Sequence, residues 1–149
     1  MEITELHRAN LRKLADYLTA LPDDYNQFDM SDFVGSESTF LKELVAGQPI
    51  HQCGAVACAV GHCTSIGLPV YKHEVLDMID WRLTGLIHFG VDSRIAYGPW
   101  DWMFSSSWNQ ADNTPWGAAK RIYWFLDKGL PEQRDFQRMA ANAGELIYN

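Results

Sequence analysis

DNTPWGAAKRIYWFLDKGLPEQRDFQRMAANAGELIYN, residues 112–149, is the stretch whose reading decides the class of fold. Thr114 followed by Pro115 is a helix start: the threonine oxygen accepts from a free backbone N–H, and proline tolerates the first helical position. Ala118, Ala119, Ile122, Phe125 and Leu126 then form one apolar stripe at helical spacing. Lys128 and Gly129 supply the matching end, a cation near the negative pole and a glycine beyond it. Pro131 opens a last helix, with Phe136, Met139, Ala140, Ala143 and Ile147 on one face. The short connection predicts a tight pairing of the two helices.

Residues 3–21 read as another amphipathic helix, with Leu11, Leu14, Leu18 and Leu21 on its buried face and Pro22 as its stop. Thr39 to Ala46 predicts a short helix closed by Gly47. A helix of small side chains is expected from Cys53 to Gly67, buried at the centre with the two C-terminal helices. Residues 74–89 predict one or two short helices with Gly85 as the possible break. No repeat and no run of alternating strands occurs; at most, residues 69–71 and 94–97 form short β. The expectation is therefore a mainly α fold, one domain over residues 1–149.

Composition agrees. At 149 residues, 47% hydrophobic and 21% charged, the chain is long enough for a core without disulfides or metal. A net charge of −7 argues against nonspecific nucleic-acid binding, which needs basic surface. No apolar run approaches the roughly 18 residues of a membrane span, and the N-terminus shows no secretory pattern. Three cysteines clustered at Cys53, Cys58 and Cys63 make a poor disulfide framework, so a reducing cytoplasm is the expected setting.

The segment His51 to Cys63 is the densest in reactive side chains and admits three readings. In the first, Cys53 opens a helix whose dipole favours the thiolate. The Cys53-Gly54 step looks like the nucleophile helix of papain-like enzymes. His73 or His88 would act as base, oriented by Asp92 or Asn109, with Gln48 and Gln52 as donors to an oxyanion. In the second, Cys58 and His62 share a helical face and hold zinc with Cys63 and either His51 or Cys53. Against it, Cys53 lies ~140° around a straight helix from Cys58, and no CxxC spacing occurs. In the third, which the small neighbours favour, the cysteines are packing residues. Phosphate-loop, dinucleotide, HExxH and GxSxG signatures are absent, and no cofactor is expected.

Two further features invite a partner. Asp23, Asp24, Asp29 and Asp32 accumulate in a stretch without Lys or Arg, interleaved with Tyr25, Phe28, Met30 and Phe33. They read as an ordered acidic connection able to dock a basic protein. Nine of the 19 aromatics fall between Tyr97 and Phe125, including Trp100, Trp102 and Trp116. A small aromatic core accounts for most of them, and the rings outside the helical stripe are candidates for a binding hot spot.

CGAVACAVGH (53–62), WDWMFSSSW (100–108) and DNTPWGAAKRI (112–122) together resemble a family of short, uncharacterised bacterial and bacteriophage proteins. The resemblance carries over no functional residue. It implies a cytoplasmic accessory protein, and by analogy one that binds and blocks a host factor, as anti-defence inhibitors do. The functional expectation is a non-enzymatic protein-binding module with a protein partner. The alternatives are a thiol hydrolase using Cys53 and a small zinc protein.

Overall fold

The computed structural model describes residues 3–35, 37–50, 56–141 and 146–148. Among these residues the fold is mainly α, with seven α-helices and no strand. They are α1 (Glu5–Thr19), α2 (Glu37–Val45), α3 (Trp81–Phe89), α4 (Pro99–Phe104), α5 (Trp108–Ala111), α6 (Pro115–Lys128) and α7 (Gln133–Ala141), with a 3-10 helix at Val60–Ile66 between α2 and α3.

Helix α1 begins where Thr4 accepts from His7 N while the His7 ring accepts from Thr4 N. Leu11, Leu14, Ala15 and Leu18 are all buried, the three leucines contributing about 2 kcal/mol each. This stripe packs along α6, with α3 and the 3-10 helix at its flanks. Helix α6 is bounded as its sequence predicts: the Thr114 hydroxyl accepts from Gly117 N at 2.9 Å, and Gly129, at φ 77°, donates to Phe125 O.

The predicted pairing of the last two helices is not the arrangement found. The stripe of α6 is already covered by α1 and α4, so α7 packs against α5 instead. It inserts Phe136 between Trp102 and Trp108, with ring centroids 5.6 and 5.7 Å away. The centre of the molecule is thus α1 with α6, not the C-terminal pair.

The long helix expected from Cys53 also differs. Residues 51–55 lie outside the described residues, and from Val56 the backbone is committed elsewhere. Ala57 N donates to Gln27 O and its carbonyl accepts from Asp29 N, both at 2.9 Å. Cys58 N donates to Asp32 O at 3.0 Å. Groups spent on this loop cannot close helical turns, so helical structure starts at Val60, in the tighter 3-10 form. Isolated bridges pair Ala57 with Phe28 and Val34, and Lys72 with Ile79; residues 94–97 form a turn. Only Trp81–Phe89 of the 74–89 region is α-helical. Gly85 does not break it but gives Trp100 room: a Cβ there would lie 2.5 Å from the indole.

Candidate docking surface

The acidic connection is held as a rigid strap. Besides the Ala57 and Cys58 bonds, Gly35 N donates to Val56 O, Gln27 Nε2 to Ile50 O and Met30 N to Asn113 Oδ1. Met30 and Val34 are buried. Gly61 is what lets the strap lie down: a Cβ there would fall 1.9 Å from the Phe33 carbonyl oxygen and 2.8 Å from Ala57 Cβ.

With its backbone pinned inward, the strap turns its carboxylates out. Asp23, Asp24 and Asp32 are exposed, and no ion pair among the described residues involves them. Asp29 is half-buried. Its Oδ1 accepts from Ser31 N at 2.9 Å, Ser31 Oγ at 2.7 Å and Asn113 Nδ2 at 3.2 Å. The Ser31 N–H above all, then its hydroxyl, holds this carboxyl below its ordinary range, so it stays charged.

Trp100 and Trp102 do not serve as partner-facing rings: Trp100 is 5% exposed and Trp102 not at all. Helix α4 is one and a half turns long, so Trp100, Met103 and Phe104 pack into the core on one side. Trp102 takes the other, its Nε1 donating to Arg121 O at 2.8 Å. Trp116 is half-buried, its Nε1 donating to Leu21 O. The aromatic excess is mainly an internal network that also takes in Trp81 and Trp108.

What the fold does bring together is the strap and the start of α4. A cleft of about 290 Å³ lies between them, lined by Met30, Phe33, Cys58, Trp100, Asp101 and Phe104, with Ser31, Ser105 and Ser106 around them. Phe33 is 40% exposed, stacked on Trp81 at 5.4 Å and edge-on to Trp100 at 5.9 Å. Asp101 is half-buried and accepts from Tyr97 N through Oδ2. The floor is apolar and aromatic, the rim carries one carboxylate, Asp101, among three serines, and no described lining residue is Lys or Arg. Sequence reasoning missed Asp101, although its place between two buried tryptophans left it only an outward direction.

The residues of the catalytic and zinc readings are placed differently. Cys53 lies outside the described residues. His73, in the loop after Val70, accepts from Val75 N and Leu76 N through Nδ1, both at 3.1 Å. His88 on α3 bonds Pro69 O through Nε2 at 2.6 Å, and a nitrogen donating to a carbonyl is not a base. Asp92 is taken by Arg82 and Arg94. His62 is fully buried among Tyr17, Tyr25 and Phe28. Its Nδ1 donates to Cys58 O at 2.7 Å and its Nε2 accepts from Tyr25 Oη at 2.7 Å, so neither nitrogen is left for a metal. Burial pushes the Cys58 and Cys63 thiols up to about 12, far from the thiolate a metal needs. Among the described residues no group of three potential ligands converges.

Among the described residues, no helix is long and apolar enough to cross a membrane. Compared with known proteins, the chain matches no family model, no curated protein and no solved structure.

Proposed function

We propose that the protein is a non-enzymatic docking module, an accessory or inhibitor protein of phage type that holds a basic host protein in the cytoplasm. The observation that carries this reading is the cleft between the strap and α4. It sets the Asp101 carboxylate beside an aromatic floor, below a strap that exposes Asp32, the pairing that suits a Lys or Arg side chain. The aliphatic stem would pack on Phe33, the exposed ring of the cleft, while the charged head meets Asp101, with Asp32 next to Phe33 on the strap. Asp23 and Asp24 would extend the negative field along the strap, speeding encounter and excluding acidic competitors.

The test is affinity capture from a bacterial lysate with two baits, the wild-type chain and an Asp23→Lys/Asp24→Lys/Asp32→Lys variant. All three side chains are exposed and in no ion pair among the described residues, so the substitutions leave the core intact. A stoichiometric basic protein is expected on the wild-type bait, released by salt and lost from the variant. A wild-type bait that retains nothing, or a variant that retains the same protein equally well, overturns the reading.

A further inference from the structure

A second groove lies between α1 and the C-terminal half of α6, and it has the opposite character. It encloses about 490 Å³ and is lined by Arg12, Lys120, Tyr123, Trp124, Asp127 and Lys128, with Leu126 and Tyr148 behind them. A neighbouring cleft along α1 adds Arg8 and Lys13, beside Glu5 and Asp16. Five of the chain's 12 Lys and Arg therefore gather on this face against three acids, in a molecule of net charge −7. One of those acids is engaged: Asp16 Oδ1 accepts from the Tyr123 hydroxyl. None of the ion pairs among the described residues involves Arg12, Lys13 or Lys128.

Collecting like charges costs free energy unless something anionic joins them. The groove also holds one of its cations in position. Lys128 Nζ rests 3.9 Å from the centroid of the Trp124 ring, which fixes the ammonium at the edge of the groove. Arg12 faces it from α1, one helix across. The volume lies within the range of small-molecule sites, roughly 300–1,000 Å³, and shares no lining residue with the docking cleft. Cations set beside half-buried aromatic rings suit a ligand that is both phosphorylated and planar.

We infer that this groove binds a mononucleotide, with its phosphates on Arg12, Lys120 and Lys128 and its base against Trp124 and Tyr123. The stacking surface adds affinity for any base, and the short groove sets the size of the ligand. Sequence-independent binding to duplex nucleic acid is still disfavoured by the net charge.

The experiment is calorimetric titration of the whole protein with ADP and, separately, with pyrophosphate and a short single-stranded oligonucleotide. Saturable ADP binding is expected, weakened by salt. The Arg12→Glu/Lys128→Glu pair, both exposed, is expected to weaken it at least about tenfold, with circular dichroism verifying that the helices remain. Trp124→Leu is expected to weaken ADP more than it weakens pyrophosphate, because it removes a stacking surface as well as the ring that seats Lys128. The strap variant is expected to bind ADP normally, which separates this site from the docking cleft. No saturable ADP binding, equal binding by the charge-reversed pair, pyrophosphate binding as tight as ADP, or an oligonucleotide that binds where ADP does not would each overturn the assignment.

Discussion

His62 shows how one side chain can be both prominent in the sequence and silent in chemistry. Enclosed by three aromatic rings, it is neutral because burial disfavours the imidazolium, which pushes its pKa from 6.5 down to about 4; the bond to Cys58 O opposes the shift only in part. The consequence is a pH-dependent stability. Below pH 6.5 the unfolded chain takes up a proton that the folded chain refuses, so stability is fully present above 6.5 and falls as the pH drops towards 4. Over that window the loss from this residue is about 3 kcal/mol at most. Chemical denaturation at a series of pH values is expected to show the slope in the wild type and a flatter profile for His62→Gln between the same limits. Asp29 and Asp92, both held below the usual carboxylate range by hydrogen bonds, lose their contribution at lower pH still. The sequence shows that Cys58 and His62 stand four apart, and their packing role is legible from Ala57, Ala59 and Gly61 beside them. It does not show that Tyr25 takes the free imidazole nitrogen, because that contact joins residues 37 apart in the chain.

At the scale of elements, Gly61 decides how the strap meets the 3-10 helix. The small residues around it predict a close approach, and a close approach is found, but of a loop rather than a helix. Periodicity gives the face that is buried and says nothing about which element covers it. For Gly61→Ala the methyl would press on a backbone carbonyl, which cannot swing away as a side-chain tip can. The expected cost is about 1–3 kcal/mol, read as a lower denaturant midpoint, together with weaker capture of the proposed basic partner because the strap is displaced. Unchanged stability in this variant would mean that the strap is free to lift. The helix starts and stops were the most legible elements, since Thr114, Pro115 and Gly129 act on their immediate neighbours. The helical part of 74–89 was less so: Asp80 caps α3 through a bond to Leu83 N, and the apolar side chains of Val75, Leu76 and Met78 ahead of it are exposed rather than core-facing.

For the whole molecule the least expected feature is Arg121, fully buried on α6. Its Nη1 donates to Tyr148 Oη at 2.9 Å and lies 3.6 Å from Asp112 Oδ2, while the guanidinium sits 4.3 Å from the Trp108 ring centroid. Tyr148 Oη in turn donates to Asp112. The start of α6, α5 and the C-terminal residues are thus tied at one cation. Among the described residues, Nε and Nη2 have no hydrogen-bond partner, and the aromatic faces carry part of its stabilisation. The sequence held the signal, because Arg121 falls three after Ala118 and four before Phe125, on the apolar stripe itself. Arg121→Ala removes the charge shared by Asp112 and Tyr148 and opens a cavity, and is expected to cost about 3–5 kcal/mol. Equilibrium denaturation is expected to show an earlier midpoint with an unchanged slope; Arg121→Met, which keeps the volume, is expected to lose less.

The burial of four tryptophans also divides the chain optically. Trp81, Trp100, Trp102 and Trp108 are at most 5% exposed, while Trp116 and Trp124 are half-buried and both belong to α6. The solvent-sensitive part of the intrinsic emission therefore originates from one helix, the helix that borders the cationic groove. The remaining four indoles report only on whether the interior is intact. One protein without any label carries two separate fluorescent populations, one for its surface and one for its core.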